Sequence, residues 1–146
     1  MKSIAPFLMI DKKCETAFSF YKELFNGSIV KLDNIEDDIL GLNKENLKGK
    51  LAHIWLQIDD TIHIRGCNRS VFFNQHQIHL PFSVFIIDSD SKEELIELHN
   101  RLSYKGRSIL SIRPTNIYGL LCMVIDQFGV YWIITYNADL SNAENT

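Results

Sequence analysis

Residues 6–32 read PFLMIDKKCETAFSFYKELFNGSIVKL, and three elements follow from them. The apolar run Ile4–Ile10, closed by Asp11, is a strand. In CETAFSFYKELF, Ala17, Phe18, Tyr21, Leu24 and Phe25 recur at helical spacing, and Asn26-Gly27 supplies a helix stop. Residues 28–32 return as a second strand. The stretch 33–50 is polar and weakly periodic, and reads as a long excursion with at most one helical turn.

Working outward, residues 53–65 form a hairpin around the turn signal Asp59-Asp60. Ile54, Leu56 and Ile58 share one face of its first strand, and Ile62 and Ile64 continue that face on the second. The opposite face carries His53, Trp55, Gln57, Thr61, His63 and Arg65. An aliphatic face suits packing under a helix; a polar and aromatic face suits a binding cleft. Residues 66–80 read as a connecting loop.

The order of elements then repeats at an offset of roughly 77 residues. FSVFII (82–87) is a strand ended by Asp88. The helix SKEELIELHNRLSYKG places Leu95, Leu98 and Leu102 on one face, with Ser91 as N-cap, Glu94 at capping-box spacing and Gly106 as stop. Residues 108–112, 120–125 and 130–136 are strands, the last two a hairpin around DQFG. The pattern predicts an α+β chain of two tandem βαβββ modules. One spans about 1–66 and one about 82–137, joined by a loop at 67–81 and followed by a polar tail at 138–146.

Composition narrows the function classes. Apolar residues make up 46% and charged residues 23%, as in ordinary globular domains. Net charge is −3 with the signs interspersed, so there is no basic stripe for nucleic acid. No apolar run approaches a membrane span and no secretory leader is evident. Three cysteines, Cys14, Cys67 and Cys122, without metal-type spacing point to a reducing, cytoplasmic setting.

PFLMID with AFSFYKELFNGSI, SVFIIDSDSKEELIELHNRL, and above all IYGLLCMVIDQFGVYWI together resemble the vicinal oxygen chelate superfamily of glyoxalase, bleomycin-resistance and dioxygenase proteins. The likeness is to its PhnB-like branch. The step Tyr118-Gly119 followed by Asp126, Phe128, Gly129, Val130 and Trp132 is its most specific part. The resemblance implies an incomplete barrel with a concave ligand cleft, within a homodimer. Metal-using members place His or Glu ligands on the first and last strands of each module. Carried onto this chain, those positions fall on Pro6, near His63, on Pro81 or Phe82, and near Ile133. Only His63 can ligate, and a catalytic metal centre needs about three protein donors.

The candidate ligand-binding residues are therefore His53, Trp55, Gln57, His63, Arg65, Tyr118 and Tyr131. His53 and His63 read either as a polar contact or acid–base pair, or as two solvent-facing strand histidines. Arg65 reads as an anion fork or a surface arginine. Trp55 lines a cleft or an interface. Trp132 alternates with Val130 and Ile134 and belongs to the packed side, leaving Tyr131, Ile133 and Thr135 toward the cleft. Tyr118 closes over a ligand or caps the core. His76 and His79 are best read as loop residues, Cys122 as a buried small hydrophobe, and Cys67 as a loop thiol. The leading expectation is a metal-independent, homodimeric small-molecule binding protein with no cofactor and no nucleic-acid or membrane partner. The alternatives are a divalent-metal lyase, isomerase or dioxygenase anchored on His63, and an assembly protein with a vestigial cleft.

Overall fold

The computed structural model describes residues 1–10, 13–34, 51–73 and 83–138. The chain divides into two units, one of Pro6–Pro81 and one of Met1–Ala5 with Phe82–Thr146.

The first unit takes most of β1 (Ser3–Ile10), then α1 (Cys14–Phe25), β2 (Ser28–Asn34), β3 (Leu51–Gln57) and β4 (His63–Asn68), followed by a 3-10 turn at Arg69–Val71. Its strands lie in the order β2-β3-β4-β1, with β1 parallel to β4 and the others antiparallel. α1 ends where Asn26 turns left-handed at φ 54 and the Gly27 N–H closes on the Lys22 carbonyl at 3.0 Å.

The second unit holds β5 (Val84–Asp88), α2 (Lys92–Ser103), β6 (Arg107–Thr115), β7 (Gly119–Ile125) and β8 (Tyr131–Tyr136). Its order is β5-β8-β7-β6, with β5 parallel to β8 and an antiparallel meander beyond. The two units thus share one topology, a βαβββ module, and the α+β duplication read from the pattern is present. Among the described residues neither unit's sheet closes on itself: β2 ends one and β6 the other.

Alternation decides what each face does. In the first unit Cys14 and Phe18 of α1 pack on Leu51, Ile54 and Leu56, with Leu8, Tyr21, Ile29 and Ile64 around them. Gly66 makes this possible. A Cβ there would stand 2.4 Å from the Leu8 carbonyl oxygen and 2.9 Å from the Phe18 ring, so the aromatic side chain of α1 rests on bare backbone. In the second unit Leu95, Leu98 and Leu102 of α2 cover Ile87, Cys122, Val124 and Ile134. The Ser91 hydroxyl caps this helix by accepting the Glu94 N–H at 3.1 Å, as the capping-box spacing requires.

Several expectations are corrected. Residues 66–68 continue β4 instead of opening a loop, because Gly66, Cys67 and Asn68 pair with Leu8, Met9 and Ile10. Cys67 is accordingly buried, and burial pushes its thiol well above its ordinary value, which removes the reading as a reactive loop thiol. Ile62 belongs to the Asp59–Ile62 turn and is exposed, so the aliphatic face of the hairpin does not include it. The Asp59 carboxylate holds that turn by accepting the Thr61 and Ile62 N–H groups. On α1 the buried stripe is narrower than the spacing implied: Leu24 and Phe25 are exposed. α2 stops at Ser103, and the left-handed residue after it is Lys105; Gly106 is needed because a Cβ would meet the Ile125 carbonyl oxygen at 2.1 Å. The 33–50 excursion begins as strand through Asn34; residues 35–50 and the tail 139–146 lie outside the described residues.

Two outcomes test this packing. Gly66→Ala is expected to lower unfolding free energy by about 1–3 kcal/mol, the range for overpacking a filled core, in urea titrations followed by circular dichroism. Asp126 tests the electrostatics of the last hairpin. Its carboxylate accepts the Phe128 and Val130 N–H groups and the Trp132 indole N–H at 2.9 Å. Burial alone would raise its pKa, but these donors outweigh it and hold the carboxyl below its reference of 3.8. A lowered folded pKa means the stabilisation is present above the unfolded value and is lost as pH falls through the folded one. Wild-type stability should therefore drop between about pH 5 and pH 2 more steeply than that of Asp126→Asn.

Candidate functional site

The face of the first unit's sheet opposite α1 collects the polar and aromatic side chains. Register sets their order: Lys31, Trp55, Arg65 and Phe7 lie side by side across β2, β3, β4 and β1. Asp33 pairs with His53 on one flank, and Gln57 with His63 on the other.

The Arg65 Nε–H donates to His53 Nε2 at 2.9 Å. That nitrogen must carry a lone pair, so the proton of the neutral ring sits on Nδ1, which lies 3.9 Å from the Asp33 Oδ2. The same guanidinium lies over the Trp55 ring at 4.4 Å, and the His63 ring stacks on Trp55 at 4.4 Å between centroids. The Trp55 indole N–H donates to Gln57 Oε1 at 2.8 Å, and the Gln57 amide donates to the Asp59 carbonyl at 2.6 Å. Trp55 is therefore fixed by a stacked cation, a stacked imidazole and a hydrogen-bond relay into the hairpin turn. Phe7 stacks parallel to His53 at 6.3 Å and meets Phe72 edge-on at 6.2 Å.

Exposure divides the group. His53 is 1% and Arg65 3% exposed, while Trp55, Gln57 and His63 remain half-buried. The readings of His53 as a solvent-facing histidine and Arg65 as a surface arginine are thereby corrected. Tyr118 and Tyr131 belong to the other unit. Tyr118 is buried in the turn before β7, its N–H on the Thr115 hydroxyl, and Tyr131 opens β8 with its N–H on the Ser83 carbonyl. Trp132 packs on the α2 side as its alternation implied, also stacking on Phe85 at 5.3 Å. Ile133 and Thr135 are buried on the opposite side, and the Thr135 hydroxyl donates to Asp88 Oδ1 at 2.7 Å.

On β1, Leu8 packs with the α1 cluster, and Phe7 is the residue beside Arg65 on the polar face. Pro81, Phe82, His76 and His79 lie outside the described residues. Among the described residues of this face, His53 Nε2 has its lone pair engaged by a cation, and Phe7, beside Arg65, offers no donor. No group of three His, Cys, Asp or Glu suited to a metal occurs among the described residues.

Phe7, Asp33 and Phe72 were not singled out by sequence. The parity of β1 relative to β4 was the signal for Phe7, and it needs a pairing register that sequence does not supply.

The fold defines a protein of tandem βαβββ modules. Residues 2–135 match the model of the family described as 3-demethylubiquinone-9 3-methyltransferase, and the chain belongs to that family. Among solved structures, a protein from Staphylococcus aureus is similar at 18% identity and TM-score 0.67, over 93% of this chain and 97% of that one. A glyoxalase/bleomycin resistance protein/dioxygenase superfamily member from Vibrio splendidus is similar at 11% identity and TM-score 0.52, over 92% and 98%. A putative 3-demethylubiquinone-9 3-methyltransferase, PhnB protein, from Bacillus cereus shares 20% identity over 94% and 100%, at TM-score 0.39. No curated protein matches the chain. No described helix is long and apolar enough to cross a membrane.

The His53–Arg65 bond has a measurable signature. His53→Phe removes the acceptor of a buried donor and is expected to cost about 1–3 kcal/mol in urea unfolding. In a double-mutant cycle with Arg65→Met, the pair should cost less than the sum of the singles.

Proposed function

We propose that this chain binds a small organic molecule without a resident metal, seating it against the Trp55, Gln57 and His63 surface of the β3–β4 hairpin. The observation that carries the reading is the Arg65–Trp55–His63 stack on the face opposite the helix. Fixing the indole and the imidazole in this way pre-organises the edges the stack leaves half-buried, which lowers the ordering cost of binding. The guanidinium gives that surface positive potential, and the Gln57 amide and His63 ring offer polar edges, so the favoured ligands are planar molecules bearing an anionic group. His53 and Asp33 act one layer back, holding Arg65 in place. The engaged lone pair of His53 supports metal independence.

Fluorescence tests this directly. In Trp132→Phe the sole indole is Trp55, and titration with a panel of small aromatic carboxylates should give saturable quenching. Arg65→Lys, which loses the planar fork, should raise the Kd by about tenfold or more. No saturable change with any panel member would sink the reading. Loss of quenching on chelation, restored by a divalent ion, would overturn metal independence.

A further inference from the structure

Two basic side chains, His53 and Arg65, are buried against each other, an arrangement that is tolerable only while one of them is neutral. The neutral one is His53, because a guanidinium keeps its charge at any working pH. Its Nε2 accepts the Arg65 Nε–H at 2.9 Å, so Nδ1 already holds the one proton of the ring. A second proton, taken from solvent, therefore has one place to go: Nε2, the atom that holds Arg65. Its arrival turns the acceptor into a donor and sets two cations against each other.

Among the described residues, the groups that the register sets around the ring fix the balance. Arg65 on β4 opposes the second proton. Asp33 on β2, 3.9 Å from Nδ1, favours it, and Lys31, 3.8 Å from Asp33, offsets part of that. Phe7 on β1 stacks on the ring without charge and meets Phe72 edge-on. Cys67, two residues beyond Arg65 on β4, is kept a neutral thiol by burial. His63, the other titratable ring of this face, stacks on Trp55.

We infer that His53 is a proton-operated latch on Arg65, and that ligand uptake at the hairpin surface is coupled to loss of that proton. The coupling rests on the reading of this surface as a ligand site; the latch does not. With Nε2 unprotonated, Arg65 is held over Trp55 at 4.4 Å and the stack is ordered. With Nε2 protonated, the guanidinium is driven off the imidazolium, and the stack loses the contact that fixes it. The ligand takes the unprotonated form, so affinity is full at higher pH and falls as pH falls through the titration of His53. A merely basic surface behaves oppositely, since added positive charge strengthens the hold on an anion. The direction of the pH dependence thus separates a latch from general electrostatics.

Nitrogen-15 NMR of the wild-type chain reads the latch with no ligand present. At about pH 8 His53 is expected as the Nδ1–H tautomer, with the Arg65 Nε–H resonance displaced from that of a solvated arginine. Acidification to about pH 5 should protonate Nε2 and return Arg65 to the solvated position at the same midpoint. Asp33→Asn should move that midpoint to lower pH. His53→Gln, a neutral acceptor at every pH, should hold Arg65 throughout. Benzoate then reads the coupling by calorimetry: its Kd should rise about tenfold per pH unit below the midpoint, and stay level with pH in His53→Gln. An Nε2–H tautomer at about pH 8, an Nε2 still unprotonated in the folded chain at about pH 5, or an Arg65 resonance that ignores His53 overturns the latch. Benzoate affinity that is flat or rises with acid overturns the coupling. A working latch without benzoate binding at any pH counts against the ligand reading and the coupling together, and leaves the latch standing. If His53→Gln fails to fold, the wild-type titration and Asp33→Asn decide.

Discussion

The seating of the Phe18 ring on the bare backbone of Gly66 is the contact on which the first unit depends. A helix can approach a strand this closely only where no side chain intervenes, and Gly66 provides the gap. Once α1 is docked there, pleating leaves no choice about the rest. Ile54, Leu56 and Ile64 face the helix, and His53, Trp55, His63 and Arg65 must stand on the other side. The polar assembly is thus a consequence of where the helix sits, since a one-residue slip would bury the charged set beneath α1.

What that assembly costs explains its construction. Taking a guanidinium out of water is worth several kcal/mol against folding. A neutral imidazole acceptor and the face of an indole each return part of it, on the order of 1–3 kcal/mol for the first and about 0.5–2 for the second. Buried groups held this way are rigid, so the half-buried Trp55 above them presents a fixed surface. The second unit resolves the equivalent position differently: Ile133 lies opposite Ile86 and Met123, and its polar contact, Thr135 with Asp88, is internal. Duplicate topologies therefore carry unlike faces, and the candidate site belongs to one unit.

Much of this was legible in the chain. The helix 14–25 was bounded correctly by spacing and by Asn26-Gly27, and the Ser91 cap by its chemistry. Period-two alternation separated Ile54 and Leu56 from His53, Trp55 and Arg65 before any packing was known. Cys67 was misplaced because strand ends are set by the partner strand, and β4 runs as far as β1 offers backbone to pair with; Ile62 was misplaced because the turn held by the Asp59 carboxylate extends to it.

Sequence by itself determined the elements, their duplication and the two-faced character of the central hairpin, because propensity and periodicity are local. Tertiary structure alone decided that Phe7 and Asp33 join that face, that His53 and Arg65 are buried against each other, and that Tyr118 and Tyr131 belong to a separate unit. These depend on pairing between residues far apart in the chain, and pairing register is a property of the assembled sheet.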